Sequence, residues 1–129
     1  MSYLGLHEEP MRSALLGEHS LTGVDFSGRR SGNGIRFILD GVTYEVTEDE
    51  CDGYRSSANP MVVTDYPITN VFPAVKVIGS EDADDEILVL RDAETQLEVI
   101  RVGTGDAWDY YPYFISEFNP QNMAINKEK

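Results

Sequence analysis

Cysteine is almost absent. Cys51 is the single one in 129 residues, so no internal disulfide forms and a reducing compartment is the natural setting. Basic residues are also scarce, with 10 Lys and Arg against 23 Asp and Glu. The resulting formal charge of −13 repels phosphate backbones and anionic lipid surfaces, which argues against direct contact with nucleic acid or a membrane. No stretch approaches the ~18 apolar residues of a membrane-spanning helix, and Met1-Ser2-Tyr3-Leu4-Gly5-Leu6-His7-Glu8-Glu9 lacks the basic start and apolar run of a secretion signal. A cytoplasmic location is expected.

The usual signatures of chemistry are missing as well. His7 and His19 are the only histidines, and neither stands in an HxxxH or CxxC context, so each reads as a lone surface residue and no metal site is expected. Cys51 lies between acids, which blunt a thiolate. There is no GxSxG and no GxxxxGK[ST], and Gly28, Gly32 and Gly34 do not fit GxGxxG. With so many acids some carboxylate pair always falls at a glycosidase-like separation, so that pattern carries no information. No cofactor, catalytic residue or enzymatic activity is expected.

What is present suits one compact domain over residues 1–129. At 41% hydrophobic content the chain has material for a core. A short helix is expected around Pro10–Leu16 within an N-terminal segment 1–19, with Gly17 ending it. Residues 124–129 read as a tail, and Gly28, Gly32 and Gly34 with Asn33 mark 27–34 as a loop. The segment from Ile35 to Val46 alternates apolar and polar residues around Asp40-Gly41, the pair that favours a type I′ turn. Closing the hairpin there sets Leu39 opposite Val42, Phe37 opposite Tyr44, Ile35 opposite Val46 and Arg36 opposite Glu45. A second hairpin runs from Glu86–Arg91 through Asp92–Gln96 to Leu97–Val102, and its doubly apolar first strand belongs inside a sheet. Leu21–Phe26, Met61–Thr64, Ala74–Ile78 and Tyr113–Phe118 are further strands. The fold class expected is α+β, mostly β: an antiparallel sheet forming a sandwich or open barrel, with one or two short helices.

The acid is concentrated. Residues 37–90 hold twelve acids and only two bases, Arg55 and Lys76. Two runs dominate, Glu48-Asp49-Glu50-Cys51-Asp52 and Glu81-Asp82-Ala83-Asp84-Asp85-Glu86, and both are expected in solvated turns. One reading is solubility and protection of sheet edges. Another is a single acidic face that imitates the phosphates of a duplex, roughly one charge per 1.7 Å, and occupies a basic groove. Glu48, Glu50, Asp52 and Gly53 also overlay part of a calcium-binding loop, but Asn59 stands where the bidentate Glu belongs. The aromatics cluster too: Trp108, Tyr110, Tyr111, Tyr113, Phe114 and Phe118 are six of the chain's thirteen. One strand cannot bury them all, so Tyr110 and Tyr111 are candidate exposed anchors. Arg55, beside Tyr54, reads either as a turn-organising salt bridge or as a grip on a small anion such as a nucleotide phosphate.

Gly17-Glu18-His19, Asp52-Gly53-Tyr54-Arg55-Ser56-Ser57, Val102-Gly103-Thr104, Asp109-Tyr110-Tyr111-Pro112 and Asn119-Pro120-Gln121-Asn122-Met123 together resemble small proteins of tailed bacteriophages and prophages. Size and acidity are also similar to phage-encoded inhibitors of host defence, including anti-CRISPR proteins and DNA mimics. The resemblance implies a phage accessory protein in the host bacterial cytoplasm that inhibits a defence complex. Its expected partner is a basic nucleic-acid-binding host protein or complex. Glu48, Asp49, Glu50, Asp52, Asp82, Asp84, Asp85 and Glu86 would supply charge, and Tyr110 and Tyr111 apolar contact. The alternatives are a small-ligand binder sequestering a nucleotide signal through Tyr54 and Arg55, and a virion structural or assembly protein.

Overall fold

The computed structural model describes residues 4–6, 8–28, 34–51, 54–58, 62–64, 68–82, 86–105 and 113–124. Among them one helix, α1 (Met11–Leu15), precedes ten strands: β1 (Gly17–Gly28), β2 (Gly34–Leu39), β3 (Val42–Val46), β4 (Glu48–Cys51), β5 (Tyr54–Ala58), β6 (Val62–Thr64), β7 (Thr69–Asp82), β8 (Ile87–Asp92), β9 (Glu98–Gly105) and β10 (Tyr113–Phe118). A 3-10 turn, Pro120–Asn122, follows. Eight strands form one open antiparallel sheet in the order β10-β9-β8-β7-β1-β2-β3-β6, and β4 and β5 pair as a separate ribbon. The mostly β, antiparallel class is as the residue patterns require.

The β2–β3 hairpin follows from its sequence residue by residue. Asp40 and Gly41 take φ of 53° and 83°, the left-handed pair of a type I′ turn. The ladder sets Leu39, Phe37, Ile35 and Arg36 against Val42, Tyr44, Val46 and Glu45. Ile35, Phe37, Leu39, Tyr44 and Val46 are buried on one face, where the rings of Phe37 and Tyr44 meet at 5.9 Å. On the other face Arg36 is itself buried, with Nη2 2.8 Å from Glu45 Oε2 and Nη1 3.2 Å from Asp25 Oδ2. A guanidinium withdrawn from water needs such flanking carboxylates.

The β8–β9 hairpin forms as well, and β8 lies inside the sheet with Ile87, Leu88, Val89 and Leu90 all buried. Leu88 and Leu90 join the main core. Val89 points to the other face, opposite Arg101, whose long stem and ion pairs cover that side.

Two long strands bend, and this lets one sheet wrap a single core. In β1, Leu21 pairs with Leu39 while Gly23 pairs with Ile38, so Thr22 is an extra residue. In β7 the same step runs from Val75 to Asn70, and the intervening chain includes Pro73, which has no N–H for a ladder. Paired irregularities at one level turn both strands. One core cluster therefore draws on β1, β2, β3, β7, β8, β9 and β10, together with Leu4, Leu6 and Leu15 from the N-terminal segment. That segment belongs to the core. The close approach of α1 depends on Gly79, because a side chain there would collide with the Leu15 carbonyl.

Three expectations need correction. Residues 48–51 form a strand, not a turn, because β5 supplies a ladder partner that the acid-rich sequence does not advertise. Gly28 and Gly34, placed in a loop, face each other as the last rung of β1 and β2, and residues 29–33 lie outside the described residues. Ala124 is not free tail, since its N–H donates to Asp92 Oδ2 at 2.6 Å.

Candidate functional site

Two of the connections that carry candidate residues leave the sheet at the same end. β7 ends at Asp82 and β8 begins at Ile87, which pairs with Gly103 of β9. β9 ends at Gly105, opposite Tyr113 at the start of β10. The β7–β8 and β9–β10 connections therefore open at the same end. The first connection carries Asp84 and Asp85 and the second carries Tyr110 and Tyr111, and these four lie outside the described residues. The β4–β5 ribbon, whose strands carry Glu48, Asp49 and Glu50 and then Tyr54 and Arg55, packs through β5 on β10 and β9. Asp52 lies outside the described residues. In the ribbon's ladder Arg55 stands across from Glu50.

The second acidic run is not uniformly solvated. Asp82 is exposed but accepts from Arg101 Nη2 at 2.6 Å, and Arg101 Nη1 reaches Glu98 Oε2 at 3.0 Å. Arg91 continues this chain, its Nη2 3.4 Å from the same Glu98 oxygen and its Nη1 donating to Ser80 Oγ at 3.2 Å. Glu86, expected in a solvated turn, is 4% exposed. It opens the buried run Ile87–Leu90, and its carbonyl accepts from the Thr104 N–H at 3.0 Å, which draws the residue inward.

Four arginines form ion pairs within the fold. Arg12 pairs with Glu81 at 3.0 Å, Arg36 with Asp25 and Glu45, Arg91 with Glu98, and Arg101 with Asp82 and Glu98. Glu18, Glu94 and Glu117 are exposed and make no ion pair among the described residues. These four arginines thus spend their charge on internal ion pairs, while Glu18, Glu94 and Glu117 face outward.

His19 is not a lone surface residue. Its side chain is only 11% exposed, with Nδ1 2.6 Å from Asp40 Oδ2 and Nε2 2.9 Å from the Leu16 carbonyl. Both ring nitrogens thus face acceptors of the fold itself. Asp40 is held below the usual carboxylate value by the His19 hydrogen bond first and then by the Ser20 N–H. Asp25 is lowered likewise, by the Ser27 hydroxyl and N–H and then by Arg36. Tyr44 is raised, by burial and by the Asp40 charge.

No protein-family model matches this chain, and no curated protein or solved structure does.

Asp92 is a residue that sequence reasoning passed over as part of a polar turn. It is buried, its Oδ1 accepts from the N–H groups of Glu94 and Thr95 at 2.7 and 3.1 Å, and its Oδ2 holds Ala124. Thr95 Oγ1 then donates to the Asn122 carbonyl at 2.9 Å, and Asn122 Nδ2 donates to the Glu98 carbonyl. The visible signal was an aspartate ending a strand directly before a turn, the usual setting for side-chain capture of backbone N–H groups. An open depression of about 390 Å³ lies beside this clasp, lined by Ala74, Lys76, Ala93, Glu94 and Ala124 among others. Its charged lining residues are Lys76, Glu94 and Asp92, the last already engaged in the clasp. Among the described residues no cluster of three or more His, Cys, Asp or Glu could hold a metal ion, and no helix is long and apolar enough to cross a membrane.

Proposed function

We propose that this chain is a non-enzymatic phage accessory protein that inhibits a bacterial defence complex, of the anti-CRISPR kind, by presenting an acidic surface to a basic nucleic-acid-binding site. The observation that carries the reading is uncompensated acid: a net charge of −13 in a fold where Arg12, Arg36, Arg91 and Arg101 are engaged in internal ion pairs. Glu48, Asp49, Glu50 and Asp52, with Asp84 and Asp85, supply the charge. Asp82, tied to Arg101, and buried Glu86 serve the fold instead. Tyr110 and Tyr111, on the connection between β9 and β10, supply apolar contact. Long-range attraction of this kind accelerates encounter and weakens with salt. The resemblance to phage and prophage proteins gives the setting, and a cytoplasmic host complex is the partner it implies. Nucleotide capture by Tyr54 and Arg55 is less well supported, because Arg55 is registered opposite Glu50 in its ladder, and an acidic neighbour disfavours an anion there.

The test is charge reversal. A variant with Glu48, Asp49, Glu50, Asp84 and Asp85 changed to Lys should lose the ability to restore phage plating on defended cells while keeping the wild-type circular dichroism and cooperative melting. Unchanged inhibition by the folded variant would overturn the reading.

A further inference from the structure

His19 stands where three segments meet. Nδ1 lies 2.6 Å from Asp40 Oδ2 in the β2–β3 turn, and Nε2 lies 2.9 Å from the carbonyl of Leu16, the residue that hands α1 over to β1. Both partners are acceptors, since an ionised carboxylate and a main-chain carbonyl have no proton to give. A neutral imidazole has one N–H and satisfies one of them, whereas a ring with two N–H groups satisfies both. Asp40 has little freedom to adjust, because its Oδ1 accepts from the Ser20 N–H at 2.9 Å. Lys76 of β7 also acts on Asp40, Tyr44 of β3 feels the Asp40 charge, and exposed Glu18 precedes His19 in β1.

The junction held here matters to the core. Leu15, the residue before Leu16, is fully buried, and its carbonyl sits against the backbone of β7 at Gly79. Capping of a helix-end carbonyl by a cationic histidine is favourable in itself, because that end of the helix carries partial negative charge.

We propose that His19 is a protonation-operated latch, which ties the α1–β1 junction to the β2–β3 turn when the ring carries two protons and releases one tie when it loses one. Opening of the latch frees the Leu16 carbonyl or the Asp40 carboxylate, and α1 loosens while the sheet persists. The device is independent of what the acidic surface binds.

The experiment is a pH titration of the ¹⁵N-labelled full chain by NMR. It follows the His19 ring nitrogens, the Ser20 amide shift, and hydrogen exchange at the Leu16 amide, which donates to the Arg12 carbonyl. The Ser20 shift should follow the ring's own titration curve. Leu16 exchange, corrected for its intrinsic pH dependence, should accelerate by about tenfold as the second ring proton is lost, the scale of one charge-assisted hydrogen bond. In His19→Gln that pH dependence should vanish, whereas His7→Gln, which removes the only other histidine, should preserve it. A ring that titrates while Ser20 and Leu16 stay unchanged would overturn the latch, and the wild-type titration alone decides this even if a variant does not fold. Persistence of the pH dependence in folded His19→Gln would overturn it too.

Discussion

Phe26 of β1 and Phe118 of β10 stack with ring centroids 5.3 Å apart, although β9, β8 and β7 separate their strands in the sheet. Neighbouring strands are about 4.8 Å apart, so four steps across a flat sheet would place those strands roughly 19 Å apart. The ladder from Phe118 runs through Ile100, Leu90 and Gly79 to Gly17, far along β1 from Phe26. Only a strand that turns over the core brings the two rings together. The bend at Thr22 is therefore part of what closes the core.

Removing either ring should cost stability on that account. Phe118→Ala is expected to lose about 2–3 kcal/mol in urea denaturation, somewhat below a fully buried phenylalanine because both rings are only partly covered. A double-mutant cycle with Phe26→Ala should return a coupling of about 1 kcal/mol. A coupling near zero would mean that the stacking contributes nothing of its own.

Asp92 should prove more sensitive than a turn aspartate ordinarily is. Asp92→Ala strands three backbone N–H groups, those of Glu94, Thr95 and Ala124, at an expected cost of about 3 kcal/mol. Asp92→Asn retains one carbonyl oxygen for the turn and should recover about half of that loss. Equal stability of the two variants in denaturant titrations would contradict this division of labour.

Gly79→Ala forces a methyl group against the Leu15 carbonyl. Overpacking against backbone is expected to cost on the order of 2 kcal/mol and to raise hydrogen exchange at the Leu16 amide as α1 is displaced. Wild-type exchange in the variant would show that α1 moves aside at no expense.

Acid should weaken the fold through Asp40 and Asp25. Both have folded-state pKa values below the ordinary 3.8, so the folded state favours the ionised form. Their contribution is fully present above that ordinary value and is lost as pH falls through the lower folded values. Melting temperature should accordingly fall as pH drops below 3.8, and Asp40→Asn and Asp25→Asn should flatten the decline. An unaltered acid limb in both variants would assign it to other carboxylates.

How much was legible beforehand differs from element to element. The β2–β3 register could be read because Asp40-Gly41 chemistry, alternation and the Arg36–Glu45 pair all demanded the same alignment. β8 could be placed inside the sheet because Ile87–Leu90 leaves no polar face. β4 could not, since Glu48-Asp49-Glu50-Cys51 shows no alternation and its strand character comes from pairing with β5. The burial of Glu86 and the clasp around His19 depend on segments far apart in sequence, Thr104 for one and Asp40 for the other. Of the candidate surface, the residue types and their concentration were readable, whereas the common end shared by the two connections follows only from strand order.

The central claim is tested most directly by capturing proteins from a bacterial lysate on the immobilised chain, at low salt, at high salt and with excess duplex DNA as competitor, and identifying what is retained. The account predicts basic nucleic-acid-binding proteins at low salt, released both by high salt and by duplex. Retention of a partner indifferent to salt and to DNA, or of no basic nucleic-acid-binding protein at all, would contradict it.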